Sequence, residues 1–331
     1  MSESHSAETI MRSARGFMAS RILLTAAELD LFTLLGSKPM TAEAVTAAKG
    51  TDSRGTTILL DALTALGFLV KENSRYRPEP AVGALLSADA PESVLPMVLH
   101  SATLWKTWSQ LTGIVRGEVK PGMEETGALG KDNYKAFIGA MHVVGSRFAP
   151  DVVAAIDPQG VQALIDIGGG SGAYTQAFLR ACPEMRATLF DLPRVIEIAQ
   201  AHARRAGMLD RITMVAGDFY QDDLPAGHDI ALLSAIIHQN SLDQNLSLYR
   251  KAYHALKPGG RIVVRDHVMS EDRTDPPDGA LFAVNMLAGT TGGRTYAFQE
   301  ISAGLVEAGF ERVNLIQTRG MLSLVEGYRP D

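Results

Sequence analysis

The sequence predicts an α/β protein: a doubly wound, Rossmann-like domain preceded by a mostly helical region. Three observations carry this. The apolar run Ala163-Leu164-Ile165-Asp166-Ile167 reads as a buried strand. It ends in the cluster Gly168-Gly169-Gly170-Ser171-Gly172, after which Tyr174, Phe178 and Ala181 recur at helical spacing. Strand-like and helix-like stretches then alternate to the C-terminus, whereas most of the chain before Ile156 has helical periodicity.

The chain's 331 residues suffice for two domains, each with a core. With 46% hydrophobic and 21% charged residues, the composition is that of an ordinary globular protein. No apolar run approaches the ~18–20 residues that span a bilayer. Met1 to Arg21 holds Glu3, His5, Glu8, Arg12 and Arg15 without an apolar h-region, so neither a membrane partner nor a signal peptide is expected. Cys182 is the only cysteine, which rules out an internal disulfide and makes the cytoplasm the default location. A net charge of −6 argues against nucleic acid as the main partner.

Residues 8 to 36 read as helical, with Ile22, Leu23, Ala26, Ala27, Leu31 and Leu34 at helical spacing and Gly36 as the C-cap. Thr41 caps a short helix to Lys49, and Asp52 or Ser53 caps a longer one ended by Gly67. Phe68-Leu69-Val70, a turn over Lys71 to Ser74, and Arg75-Tyr76-Arg77 then read as a hairpin. Helix, helix, hairpin is a winged-helix pattern, and it raises the question of DNA. The candidate recognition helix, Asp52 to Leu66, offers Arg54 against Asp52 and Asp61, a net negative count, so a packing role is favoured.

From Ala81 to Ile156 the pattern is again helical, broken at Lys120-Pro121-Gly122. One stripe holds Trp105, Trp108, Leu111, Ile114 and Val115; another holds Phe137, Met141, Val144 and Phe148. Asp157-Pro158-Gln159-Gly160 is the natural boundary. Beyond it, strands are expected at Arg186 to Asp191, Ile212 to Ala216, His228 to Ser234 and Arg261 to Asp266. A helix opens at Pro193, and another runs through Leu246, Tyr249 and Leu256. A helix from Phe298 to Ala308 precedes strand-like runs at Arg312 to Gln317 and Met321 to Val325. The short Thr318-Arg319-Gly320 link forces those two runs antiparallel. A parallel sheet with an antiparallel C-terminal hairpin is the layout of class I methyltransferases.

Gly168-x-Gly170-x-x-Ala173, with Asp191 about twenty residues on, satisfies a dinucleotide fingerprint and taken alone would fit NAD. Asp166, at the mouth of the turn, would disfavour a pyrophosphate and suit a cationic ligand such as S-adenosylmethionine, which carries a sulfonium and an ammonium. Asp218-Phe219, just beyond the third strand, supplies a carboxylate for an adenine amino group and a ring for its face. A dehydrogenase has no need of that further acid.

The chain resembles the plant-type and acetylserotonin-type family of S-adenosylmethionine-dependent O-methyltransferases, bacterial members included, from about Leu23 to Glu326. The resemblance rests on Leu29-Asp30-Leu31-Phe32, Leu60-Asp61-Ala62-Leu63-Thr64-Ala65-Leu66-Gly67 and Asp166-Ile167-Gly168-Gly169-Gly170-Ser171-Gly172. It continues through Phe190-Asp191-Leu192-Pro193, Gly217-Asp218-Phe219, His238, Leu256-Lys257-Pro258-Gly259-Gly260 and Asn285-Met286-Leu287. It implies a winged-helix dimerisation domain over 1–100, a helical segment roofing the acceptor pocket over 101–157, and an S-adenosylmethionine-binding domain over 158–331. It also implies a homodimer through the N-terminal domain. Gly168, Gly170 and their neighbours would hold the methionine part of the cofactor, Asp191 with Leu192 the ribose, and Asp218 with Phe219 the adenine. Ser234 stands where plant members use a lysine.

Methyl transfer from a sulfonium requires an aligned acceptor oxygen, exclusion of water and removal of the acceptor's proton. His238 follows the fourth strand, at the end where ligands bind in open α/β sheets, and matches the family's general base. Around it the family's His-Asp-Trp becomes His238-Gln239-Asn240. The first orienting carboxylate matches Asp266, shorter than the glutamate of plant members, and the second falls on Thr295. Asn285 shares a helical stripe with Leu281 and Ala288 and matches a substrate-contacting asparagine of the acetylserotonin-type enzymes. Phe137, Met141 and His142 lie on the helix that would roof the acceptor. The histidines at 5, 100, 202, 228, 254 and 267 show no pairing or metal-ligand spacing, and no metal is expected.

The sequence therefore reads as an O-methyltransferase acting on a small hydroxylated, aromatic or polycyclic acceptor, with His238 as base and Asp266 as its orienter. One rival keeps the cofactor but changes the chemistry, for example to hydroxylation, because the triad is altered. Another is a ligand-responsive winged-helix regulator.

Overall fold

The structure is a computed structural model and describes residues 6–91, 93–122, 131–316 and 322–331, without the side chains of 131–137 and 140. Two compact units make up the chain, Met1–Lys106 and Thr107–Asp331.

In the first unit, α1 (Ala7–Glu28) and α2 (Leu31–Ser37) are separate helices where the periodicity reads as one. Asp30 takes a left-handed conformation (φ 50°) between them, which an aspartate tolerates better than most residues. The leucine spacing survives the break because Leu31, Phe32 and Leu35 join Ala26 in one core. Thr41 Oγ1 accepts from the Ala44 N–H (3.3 Å) to start α3 (Ala42–Lys49), and Asp52 Oδ2 accepts from the Gly55 N–H (2.6 Å) to start α4 (Ser53–Ala65). β1 (Leu69–Glu72) and β2 (Arg75–Pro78) pair antiparallel around Asn73 and Ser74. Both turn residues have positive φ, the geometry that matches the twist of a two-residue hairpin. α5 (Pro80–Leu86) follows, and α6 (Leu95–Trp108) contains the division between the units.

The second unit continues with α7 (Leu111–Val115) and α8 (Lys131–Ile156). The apolar stripes expected there are only partly buried: Ile114 is in the core, while Val115 and Phe148 are exposed. The sheet is built from β3 (Ala163–Ile167), β4 (Arg186–Asp191), β5 (Ile212–Ala216), β6 (His228–Ser234) and β7 (Leu256–Asp266). α9 (Ala173–Ala181), α10 (Pro193–Arg205) and α11 (Leu242–Ala255) alternate with these strands. Strands β3 to β6 have the expected bounds. β7 starts earlier, at Leu256 opposite His228, and Lys257–Gly260 loop out before Arg261 resumes the ladder opposite Ile230. A two-strand parallel patch, β8 (Val268–Met269) with β9 (Tyr296–Ala297), brackets α12 (Pro277–Gly289).

α13 (Phe298–Glu307), stopped at Gly309, leads to β10 (Glu311–Ile316) and β11 (Ser323–Tyr328). These two strands pair antiparallel, and the second runs three residues past the expected end at Val325. The Thr318-Arg319-Gly320 link lies outside the described residues. The order β10-β11-β7-β6-β3-β4-β5 is parallel through the five central and right-hand strands and antiparallel at β11 and β10.

Alternate residues of the strands feed two cores. Leu164, Leu232 and Val263 pack with α8, α9 and α10; Ile165, Ile167, Ile262 and Val264 pack with α11 and α13. The chain winds one way from β3 and the other way from β6, so the topological switch lies between these neighbours. A doubly wound sheet opens its ligand crevice there.

Candidate active site

Gly168 (φ +70°) begins the turn at the end of β3, in the left-handed region that side chains avoid. A Cβ on Gly168 would stand 2.5 Å from Ile236 Cδ1 and 3.6 Å from Phe219 Cε1; one on Gly170 would meet nothing within 4 Å. The turn thus has a closed side and an open side. Asp191, at the end of β4, braces it: Oδ2 accepts from the Gly170 N–H (2.8 Å) and Oδ1 from the Leu192 N–H (2.7 Å). Burial pushes this half-buried carboxyl up, against the pull of those two N–H groups. Leu192 caps α10, with Pro193 as the first helical residue.

Past β5, Asp218 accepts from the Tyr220 N–H (2.9 Å) and from Gln221 Nε2 (3.1 Å). That self-capped turn sets the Phe219 ring beside Gly168. Gly217 N–H donates to Asp191 O (3.0 Å), tying the two acidic strand ends together.

Asp166 is not at the mouth of the turn, as the sequence suggests. It is 1% exposed, and its Oδ2 accepts from Thr175 Oγ1 (2.6 Å) in α9. Leu164 and Asp166 project from β3 to the α9 side, so the alternation of the strand carries this carboxylate beneath the turn. Burial pushes it up to about 6, with the Thr175 hydroxyl opposing and Asp191 reinforcing.

His142, on α8, meets the glycine turn. Its Nδ1 lies 3.0 Å from Ser171 Oγ, and its ring meets that of His202 at 4.0 Å, tilted by 30°. Burial first, then His202, Arg180 and Arg205, pushes it down to about 4. His202 is therefore paired, contrary to the sequence reading. Met141 is half-buried on the same helix, and the Phe137 side chain lies outside the described residues.

The histidine of interest sits in a single 3₁₀ turn, Ile237–Gln239, just after β6. His238 Nδ1 lies 2.9 and 3.0 Å from the two carboxylate oxygens of Asp266, the last residue of β7. A carboxylate only accepts, so Nδ1 carries a proton, and in the neutral form of the ring the free lone pair is on Nε2. Asp266 is 1% exposed, and its Oδ1 also accepts from the His267 N–H (2.8 Å). Burial alone would raise this carboxyl; the charge and hydrogen bond of His238 hold it below the usual carboxylate range. The His238 ring meets Phe282 of α12 edge-on at 4.8 Å, and His267 stacks on the same phenyl ring at 4.2 Å.

Asn240 and Thr295, where the chain departs from the family pattern, do not face this histidine with empty space. Asn240 is fully buried. Its Oδ1 accepts from Tyr220 Oη (2.5 Å), its Nδ2 donates to Asn245 Oδ1 (2.9 Å), and its carbonyl accepts from Tyr296 Oη. Asn245 Nδ2 in turn donates to Ile237 O (3.0 Å). This network anchors the turn that carries His238. Thr295 is buried, and its carbonyl accepts from Arg273 (3.5 Å).

Asn285 does not share a buried apolar stripe: Ala288 is buried but Leu281 is exposed. Its partner is Trp108, whose Nε1 donates to Asn285 Oδ1 at 3.0 Å. Ser234, at the end of β6, accepts from Arg265 Nη1 (3.3 Å).

Gly168, Gly170, Asp191, Leu192, Asp218, Phe219 and Ser234 thus gather along the ends of β3 to β6, with His238 just past β6 and Asp266 at the end of β7. Sequence reading missed Ile236, Phe282, Trp108, His267 and Arg265. Arg265 alone left a trace, as a charge near the end of an otherwise apolar strand. Among the described residues, no group of three or more His, Cys, Asp or Glu side chains is placed to hold a metal ion. No helix there is long and apolar enough to cross a membrane.

A mostly parallel sheet bordered by an antiparallel pair is the Rossmann-like fold of methyltransferases. Comparison narrows that class. The O-methyltransferase domain model matches residues 122–311, and the O-methyltransferase dimerisation domain model matches 11–88. The tetracenomycin polyketide synthesis 8-O-methyl transferase of Streptomyces glaucescens is 32% identical over 97% of this chain and 96% of its own length. The 3-hydroxy-5-methyl-1-naphthoate 3-O-methyltransferase of Streptomyces sahachiroi is 31% identical, covering 92% and 89%. The crystal structure of human N-acetylserotonin methyltransferase in complex with S-adenosylmethionine superposes with a TM-score of 0.85 at 27% identity, covering 100% and 99%. The chain belongs to the O-methyltransferase family and is an S-adenosylmethionine-dependent O-methyltransferase. Its residues suit the cofactor: the glycine turn is open at Gly170, where a Cβ would meet nothing within 4 Å, and Asp191 offers a half-buried carboxylate beside it.

Proposed function

We propose that this enzyme methylates a phenolic hydroxyl of a small aromatic acceptor of polyketide type, with His238 as general base and Asp266 as the group that orients it. The observation that carries the reading is the His238–Asp266 pair. A buried carboxylate holds Nδ1, and no described residue bonds Nε2. S-adenosylmethionine, when bound, supplies a sulfonium methyl open to in-line displacement by the acceptor oxygen. His238 Nε2 takes the acceptor's proton as that oxygen attacks, and Asp266 stabilises the imidazolium that results. Phe282, edge-on to His238, supplies an apolar wall suited to an arene. The aromatic polyketide and naphthoate acceptors in the names of the two Streptomyces relatives support that acceptor class.

Asp191 would take the ribose hydroxyls, and Asp218 with Phe219 the adenine. Asp166 acts from below, by setting the shape of the turn. The assembled enzyme is a homodimer through the N-terminal unit, where α1 exposes Ile10, Met11, Phe17 and Met18 and the dimerisation domain model matches.

The test is turnover with a labelled methyl donor across a panel of hydroxyarenes. His238→Gln should lose roughly 10²–10⁴-fold in kcat while S-adenosylhomocysteine still binds. Asp266→Asn should lose less, because Nδ1 keeps a hydrogen-bond acceptor but the imidazolium formed in the reaction loses its counter-charge. Full turnover by His238→Gln across neutral pH would end the general-base assignment.

A further inference from the structure

Arg265 is the next-to-last residue of β7, and the alternation of that strand decides its direction. Ile262 and Val264 pack toward α11 and α13 and Val263 toward α9, so Arg265 leaves on the side opposite to Asp266. Its guanidinium carbon lies 4.8 Å from the centre of the Tyr174 ring, in the first turn of α9, and its Nη1 donates to Ser234 Oγ. Leu233 pairs with Ile167, so Ser234 is level with Gly168. The guanidinium therefore lies beside the glycine turn, on the face shared with the start of α9.

Nothing described in the protein neutralises it. Arg265 Nε is sealed from solvent with no hydrogen-bond partner. Among the described residues no carboxylate forms an ion pair with Arg265, and Asp266 is committed to His238 and to the His267 N–H. Burial lowers its pKa from the ordinary arginine value, which Tyr174 and Asp266 offset only in part. A guanidinium in this state has lost part of its hydration without gaining a counter-ion, a condition that favours an anionic ligand with two oxygens to fit its planar fork.

We propose that Arg265 is a carboxylate-binding residue at the glycine-turn end of the active site. Resting on the reading of that site as a methyltransferase centre, this leaves two sources for the carboxylate: the amino-acid end of the cofactor, or an acid group on the acceptor. Ser234 and the Tyr174 ring hold the guanidinium in place for either.

Calorimetry on the full chain separates these cases with three probes. They are S-adenosylhomocysteine, 5′-methylthioadenosine (which lacks the amino-acid portion), and a hydroxynaphthoate compared with the matching naphthol in the presence of S-adenosylhomocysteine. If the cofactor supplies the carboxylate, Arg265→Gln weakens S-adenosylhomocysteine about 10–100-fold and leaves 5′-methylthioadenosine unchanged, with Arg265→Lys recovering part of the loss. If the acceptor supplies it, S-adenosylhomocysteine is unaffected and the preference for naphthoate over naphthol disappears. Unchanged affinity for S-adenosylhomocysteine with no such preference lost overturns the proposal. Failure of the wild-type chain to bind S-adenosylhomocysteine at all would instead strike the methyltransferase reading of the site. Thermal melts of both variants establish that each is folded.

Discussion

Trp108 Nε1 donates a hydrogen bond to Asn285 Oδ1 at 3.0 Å, joining residues 177 positions apart in sequence. An indole N–H can only donate, so the bond decides which way round the amide lies. With Oδ1 turned to Trp108, the Nδ2 hydrogens of Asn285 point away from the indole, and no described residue accepts from them. Asn285 is one helical turn along α12 from Phe282, whose ring packs on His238.

An acceptor recognised through the Asn285 Nδ2 hydrogens would present a hydrogen-bond acceptor, such as a ring carbonyl, to them. Trp108→Phe frees the amide to rotate and should reduce the preference for hydroxyarenes bearing that carbonyl over those lacking it. The expected loss is about 3–10-fold, one ordinary hydrogen bond. The check is kcat/KM for matched acceptor pairs; an unchanged preference in Trp108→Phe would separate Asn285 from acceptor recognition.

The buried network around Asn240 carries the turn that holds His238. Replacing Asn240 with Leu strands the Asn245 amide and the Tyr220 hydroxyl together. A cost of about 2–4 kcal/mol in stability is expected, with a fall in kcat larger than any change in the affinity for S-adenosylhomocysteine. Denaturant melts and single-turnover rates measure the two effects. Tyr220→Phe, which removes one member, should cost less than half as much.

Two groups at the glycine turn, the buried Asp166 and the half-buried His142, titrate with opposite effect. Asp166 has a folded value of about 6 against an ordinary 3.8, so the folded chain holds its proton more tightly than the unfolded chain does. That contribution is full below pH ~4 and is lost as the pH rises through about 6, a change on the order of 3 kcal/mol. His142 has a folded value of about 4 against 6.5, so here the unfolded chain binds the proton better and stability falls as the pH drops from about 6.5 to about 4. Between pH 4 and 6 the slopes oppose. Asp166→Asn removes one of them and should make the melting temperature of the cofactor-free enzyme climb more steeply over that range. Parallel curves for variant and wild type would contradict the assignment.

At Gly168 the expected outcome is an almost complete loss of cofactor binding in Gly168→Ala. The new methyl would collide with Ile236 at 2.5 Å, on a backbone with φ +70°. Circular dichroism should still report a folded chain, and calorimetry with S-adenosylhomocysteine reads the loss. Retained binding would show that the turn relaxes without harm to the cradle.

The sequence by itself determined the sheet and the cofactor edge. Buried parallel strands such as Ala163–Ile167 and Arg186–Asp191 are short segments rich in apolar residues with abrupt ends. Glycines and acids at those ends are read at fixed distance from each strand, so local order alone locates Gly168, Asp191, Asp218 and His238. The break at Asp30 escaped because the hydrophobic period runs straight through it.

Only the tertiary structure decided what each polar side chain meets. Strand alternation hides Asp166 beneath the turn and sends Arg265 and Asp266 to opposite faces. Asn240, which by sequence marks a lost catalytic neighbour, is a buried brace because Tyr220, Asn245 and Tyr296 converge on it. Trp108 and Asn285, and His142 and His202, come from separate elements whose spacing records nothing of their contact. Periodicity reports which face of an element is apolar. Partnership across elements depends on how the faces pack, and that information is not local.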